Sequence, residues 1–166
     1  MPLIDGLLQE LEQETQTTRR VLERVPDHQL AWRPHEKART LGELALHVAM
    51  VPGGVAELVA SPSPAQAPQF TDPSPTSASE LIPALDRSIA KAKQVLGDMD
   101  DATLLGTWRL MQGERELFAI PRFAILRSVM LNHWYHHRGQ LTVYLRELGV
   151  PIPSIYGPSA DENPFA

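Results

Sequence analysis

The sequence contains no cysteine, which excludes disulfides, thiolate metal ligands, cysteine nucleophiles and iron–sulfur chemistry together. Any metal site among its 166 residues must be built from His, Asp and Glu. An excess of positive charge is missing as well. Fifteen Lys and Arg face 20 Asp and Glu, a formal charge of -5, with no basic cluster to track a phosphate backbone, so nucleic acid is not an expected partner. No stretch approaches about 18 consecutive apolar residues, and Met1-Pro2-Leu3-Ile4-Asp5 lacks a basic segment leading into an apolar run. We expect a soluble, cytoplasmic protein with no membrane partner, and the length suits one compact domain over residues 1–166.

What the sequence does have is helical periodicity. Leu7, Leu8, Leu11, Thr15, Thr18, Val21 and Leu22 keep a three-four spacing that predicts a helix over 3–25, stopped by Pro26. Thr40-Leu41-Gly42-Glu43 has the form of a capping box, and a second helix follows over 41–60 with Leu44, His47, Val48, Val51, Val55 and Leu58 on its apolar line. Pro52 is expected to kink that helix without ending it. Residues 61–77 hold Pro62, Pro64, Pro68, Pro73 and Pro75, a composition that sustains neither helix nor central strand. Leu81, Ile82, Leu85, Ile89, Ala92, Val95 and Leu96 predict a third helix over 79–97. Thr107–Leu110, Gln112-Gly113 and Glu116–Phe118 suggest a short hairpin. Pro121 suits the first turn of a fourth helix over 121–148, ended by Gly149 and Pro151. The expected fold is all-α: a four-helix bundle with a long Pro-rich crossover and a C-terminal tail, 149–166, docked on it.

The fourth helix carries Asn132-His133-Trp134-Tyr135-His136-His137-Arg138-Gly139-Gln140. His133 and His137, four apart, share one helix face and fall on the apolar line Leu126, Met130, His133, His137, Leu141, Tyr144 and Leu148. Burying two imidazoles without partners costs about 1–3 kcal/mol each. For the pair alone, hydrogen bonds to carbonyls or to a buried carboxylate meet that need as well as a metal does. His47, on the inward line of another helix at similar height, shifts the balance towards a shared ion. Three imidazoles form the nitrogen set of an open zinc site, although nickel, iron and copper also accept imidazole.

Around these ligands, His136 points about 100° away from His137 and is placed beside the seam. Glu43 precedes His47 by one turn, and Gln140 adjoins His133 and His137 in projection, so either is a candidate to orient a ligand ring; the capping box already accounts for Glu43. His28 and His35 carry no specific signal. Trp134 and Tyr135 suit either the core or a homodimer interface, as do the apolar residues between Ile152 and Tyr156. Should the tail fold back, Tyr156, Asp161 or Glu162 come within reach of the site's mouth, although a solvated acidic end is the plainer account of the last two.

The block from Asn132 to Arg146, with Thr40-Leu41-Gly42-Glu43-Leu44-Ala45-Leu46-His47 upstream and Tyr156-Gly157-Pro158-Ser159-Ala160-Asp161-Glu162 downstream, resembles the DinB family of metal-dependent proteins over nearly the whole chain. The resemblance implies a four-helix bundle, commonly dimeric, with a divalent metal on His47, His133 and His137. It also implies kinship with transferases that use low-molecular-weight thiols. The expected function is therefore a metal-dependent enzyme in which zinc or nickel activates a thiol or water towards a small-molecule substrate. Thiol transfer leads; a hydrolase and a noncatalytic, metal-stabilised bundle are the alternatives.

Overall fold

The computed structural model describes residues 2–69 and 71–166. Met1 and Phe70, which the sequence reading places at the N-terminal end and in the Pro-rich loop, lie outside the described residues. The chain is mostly helical, with a small sheet. Helix α1 spans Leu3–Leu22, α2 Leu41–Ala60, α3 Leu81–Leu96 and the short α4 Asp101–Leu105. Strands β1 (Ala65–Gln66), β2 (Thr107–Gln112) and β3 (Arg115–Pro121) form the sheet, with β2 central, parallel to β1 and antiparallel to β3. The last long helical stretch has three parts: α5 (Arg122–Ile125), a wide-wound π segment (Leu126–Asn132) and α6 (His133–Glu147).

Helix α1 stops three residues short of the predicted end. A residue preceding proline is disfavoured in helical conformation, and before Pro26 the chain tightens into turns closed by Arg24 N–H to Val21 O and Val25 N–H to Leu22 O. Helix α2 starts where its capping box places it, the Glu43 amide donating to Thr40 Oγ1 at 3.1 Å and the Thr40 amide to Glu43 Oε2 at 2.7 Å. It packs against α3 along its length and against α6 on another side. That position accounts for its composition: an 18-residue window of α2 reaches a mean hydropathy of 1.4, a level that the core helix of a folded protein also attains. More than half of that window is buried in the protein, as befits a helix covered on several sides.

Pro52 leaves α2 unbroken, and the groups it disturbs are satisfied from neighbouring helices. Proline has no N–H to offer the carbonyl four residues back; Val48 O instead accepts from Trp134 Nε1 at 2.7 Å. Ser88 Oγ on α3 accepts from the Gly53 amide at 2.8 Å and donates to Met50 O at 3.1 Å. A Cβ at Gly53 would lie 2.7 Å from Ser88 O, so glycine is what lets α2 and α3 approach this closely. The C-terminal end of α2 is capped from the sheet side, by Arg122 Nε on Val59 O at 3.0 Å and Trp108 Nε1 on Ser61 O at 3.1 Å.

The hairpin is longer than expected, and the Pro-rich segment contributes β1 to its edge, where interrupting prolines do no harm. Gly113, at φ 61°, supplies the turn. The Leu126–Asn132 segment has a larger consequence. A π turn takes more residues than an α turn, so the core stripe steps through Leu126, Met130, Trp134, Arg138, Leu141 and Leu145, all buried. Beyond Met130 the predicted stripe is early at part of its positions: Trp134, Arg138 and Leu145 are fully buried, His133 and Tyr144 are half-buried, and His137 stays buried beside Arg138. Trp134 and Ile152 are buried within the chain, which removes them as dimer surface.

The tail docks, but not over the histidines. Asp161 pairs with Arg146 and accepts from the Ile152 amide at 2.8 Å, while Glu162 pairs with Arg20 of α1. Tyr156 Oη donates to Glu14 Oε2 at 2.9 Å and accepts from Arg138. These three residues therefore fasten the tail to α1 and α6 and do not form the site's mouth.

Candidate metal centre

Helices α2 and α6 run antiparallel. Trp134 meets Val48 while Tyr144, ten residues on, hydrogen-bonds Arg39 O at 3.3 Å. His133 and His137 lie on the α2-facing edge of α6, beside the core stripe, across from His47 on α2. His47 Nε2 and His133 Nε2 stand 3.2 Å apart, and the His137 ring centroid lies 4.5 Å from that of His47 and 4.3 Å from that of His133. One nitrogen from each ring falls within 4.8 Å of the others. Among the described residues no carboxylate joins this group.

These nitrogens fit a metal ion. Two ligands at about 2.0–2.1 Å from zinc in tetrahedral geometry lie about 3.3 Å apart, close to the 3.2 Å separation of the two Nε2 atoms. His137 Nδ1 is 2.7 Å from Gln140 Oε1. Since that amide oxygen only accepts, Nδ1 carries the proton and Nε2 keeps its lone pair for an ion. Burial depresses His47 to about 4, with the neighbouring His137, Arg39 and His133 adding to the effect. Burial also takes His137 to about 4, against the opposing pull of the Gln140 hydrogen bond, and lowers His133, helped by His136 and Arg39. All three rings are thus neutral near pH 7, the form that ligates metals. His137 is buried, but His47 and His133 are half-buried, leaving an approach from solvent.

The other expected residues sort by contact. Gln140 touches a candidate ligand directly. Glu43 uses Oε2 for its helix cap and accepts from Ser74 Oγ at 3.3 Å through Oε1, so it does not orient His47. His136 is exposed, its ring 5.0 Å from that of His137. Two residues escaped the sequence reading. Arg39 sits at the end of the seam, its Nε donating to Asp72 Oδ1 at 2.8 Å; its only sequence signal is adjacency to the Thr40 cap. Arg138 is almost fully buried and pairs with Glu14 at 2.6 Å and Thr18 Oγ1 at 3.1 Å. Neither Glu14 nor Arg138 fits an apolar pattern, so periodicity passed over both.

A mostly helical chain that gathers three neutral imidazoles where two helices meet defines the class: a helical protein with a three-histidine group able to hold a metal ion. The DinB family model matches residues 3–164, and the chain belongs to the DinB family. It is 29% identical over 162 residues to the uncharacterized protein YrdA of Bacillus subtilis strain 168, covering 96% of this chain and 91% of that one. Among solved structures, a DinB-like protein of Bacillus cereus ATCC 10987 superposes with a TM-score of 0.73 at 25% identity, covering 92% of this chain and 97% of the other. A second DinB-like protein, YjoA of Bacillus subtilis, gives 0.65 at 19% identity over 88% of this chain and 96% of the other, which bears on fold alone.

Proposed function

We propose that this chain is a metal-dependent enzyme in which His47, His133 and His137 hold one divalent ion, zinc or nickel, and activate a thiol or water towards a small-molecule substrate. Transfer of a thiol is the leading chemistry. The observation that carries the reading is the convergence of three neutral imidazole nitrogens within 4.8 Å on a seam that solvent reaches. A divalent ion held there supplies a Lewis acid that lowers the pKa of a bound thiol or water. Gln140 holds the His137 ring with its Nε2 lone pair free. With three candidate protein ligands and, among the described residues, no fourth, the site resembles catalytic centres more than closed structural ones.

The four long helical stretches are read as the four-helix bundle of the family, and a homodimer belongs to the same reading. Val129 and Val143, exposed on the last helical stretch, offer apolar surface for it, and light scattering on the eluted protein tests it. The function itself is tested by elemental analysis of the purified protein with a panel of thiol acceptors and esters. We expect one equivalent of divalent ion, abolished in His137→Ala, and turnover that needs added thiol. Protein without stoichiometric metal, or His137→Ala with full metal content, refutes the site. Ester turnover without thiol replaces transfer with hydrolysis. No turnover, with a large loss of thermal stability on chelation, makes the ion structural.

A further inference from the structure

Helices α2 and α3 leave a groove between them that metal binding does not require. Ser88 on α3 meets Met50 and Gly53 on α2, and further along Lys91 pairs with Glu57 at 3.4 Å, so the two helices run parallel. The groove holds a cavity of about 450 Å³, within the range of small-molecule sites. Its floor is apolar, built from Leu46, Met50, Gly54 and Ala84. Pro73, whose neighbour Ser74 bonds Glu43, lines the end nearer the start of α2. Packing requires Gly53 but not Gly54: no atom lies within 4 Å of the position a Cβ would take there, and glycine inside a helix costs about 1 kcal/mol relative to alanine. What the missing side chain does is keep the groove open. Of the charged groups on the walls, Glu57 and Lys91 pair with each other, and Glu80 accepts from the Thr76 and Ser77 amides at 2.9 and 3.1 Å. Arg87 also lines the groove and, among the described residues, has no partner. The groove adjoins the histidine centre through α2. Leu46 is bonded directly to His47; Met50 follows His47 by three residues and Gly54 follows Met50 by four, spacings that set neighbouring side chains on one helical face with Cβ atoms about 5–6 Å apart. Arg87, next to Ser88, stands level with Gly53, six residues or about 9 Å along α2 from His47.

We propose that the α2–α3 groove is the substrate pocket and takes an elongate amphipathic acid. Its carboxylate pairs with the Arg87 guanidinium, whose parallel N–H donors match that group. Its apolar body lies along Met50 and Leu46 in the gap over Gly54, and its far end is directed to His47. The substrate class is a small carboxylic acid with about 9 Å of apolar chain or ring between the acid and the reacting end. The reacting end rests on the metal reading above, the acid and apolar body do not, and the test separates the two.

Metal-free protein is titrated calorimetrically with octanoate, whose extended chain has that length, and with the neutral octanamide. We expect one octanoate per chain, bound about tenfold more tightly than the amide, and a ratio of about one in Arg87→Gln. Gly54→Leu fills the gap and replaces glycine by a better helix former. It should bind octanoate about tenfold or more weakly while unfolding at the same temperature as wild type or higher. Cobalt(II)-loaded protein then gives the orientation: paramagnetic relaxation of the bound octanoate protons should be faster at the methyl end than beside the carboxylate. No saturable octanoate binding, affinity unchanged in Gly54→Leu, equal affinity for acid and amide, or a ratio unchanged in Arg87→Gln overturns the pocket and leaves the metal site standing. Relaxation equal at both ends, or faster beside the carboxylate, overturns the placement of the far end at His47 and the proposal with it. Protein that takes up no cobalt refutes the metal reading instead, and the calorimetry alone then decides the groove.

Discussion

The bond between Trp134 Nε1 and Val48 O, at 2.7 Å, joins α6 to α2 one residue from His133 and one residue from His47. It exists because Pro52 cannot supply the helical donor to that carbonyl. Trp134→Phe keeps an aromatic ring in a fully buried position but removes the N–H. An orphaned buried carbonyl costs about 1–3 kcal/mol and the smaller ring adds a cavity cost of about 1–2 kcal/mol, so a loss of about 3 kcal/mol is expected. With a urea dependence of about 2 kcal/mol/M, the unfolding midpoint of the metal-free protein should fall by about 1.5 M. Pro52→Ala restores a backbone N–H four residues after Val48. Alone it should change stability by under about 1 kcal/mol, since the indole already occupies the carbonyl. In the Trp134→Phe background the new amide meets the orphan, and the double variant should be about 1–2 kcal/mol more stable than the sum of the single changes. Circular dichroism at equilibrium in urea measures all four corners of that cycle. Additivity within about 0.5 kcal/mol would show that the carbonyl left by Pro52 is not what Trp134 serves.

Three further outcomes follow from the charges and the seam. The folded protein depresses His47 and His137 to about 4 from about 6.5, so between those values the unfolded chain binds more protons and metal-free stability must fall as pH drops from 6.5 to 4. Solvent at the half-buried rings screens the effect, so the loss should be about 2 kcal/mol, and urea unfolding that is flat across this window contradicts it. Arg138→Met strands the Glu14 carboxylate, of which only 8% of the side chain is exposed, and should cost about 3–5 kcal/mol; Arg138→Met with Glu14→Gln should recover part of that, and thermal unfolding of the pair tests it. Gln140→Ala frees the His137 ring and should weaken metal binding about 10–100-fold with little change in metal-free stability, as read by competition with a chromophoric chelator.

The helices and the histidine group were legible because their determinants are local. Thr40 and Glu43 announce the start of α2 by side-chain chemistry three residues apart, and the spacing of His133 and His137 survives any error in helix phase. Trp134, Arg138 and Leu145 were left off the core stripe of the last helix because the widening over Leu126–Asn132 leaves no mark in the 3.6-residue pattern on either side. Arg138 was invisible for a different reason: its partners Glu14, Thr18 and Tyr156 come from α1 and the tail, and only the tertiary fold shows that a charge belongs in the core. Arg39 likewise looks like an ordinary loop cation until Asp72 and Tyr144 are brought to it from 33 and 105 residues away.

That widening also bears on how the imidazoles are held. Had His133 and His137 occupied the middle of the buried stripe, solvent and substrate would have had no path to them. Displaced to its edge, they face α2 while Trp134 and Arg138, each the next residue along, lock the same two turns into the core. Trp134 bonds α2 and Arg138 bonds α1 and the tail, so rotation of α6 about its axis would break buried hydrogen bonds on both sides, each costing about 1–3 kcal/mol. Candidate ligand rings carried on a helix restrained in this way are held in position whether or not an ion is bound. Loosening either lock should therefore lower metal affinity even though neither Trp134 nor Arg138 is a ligand.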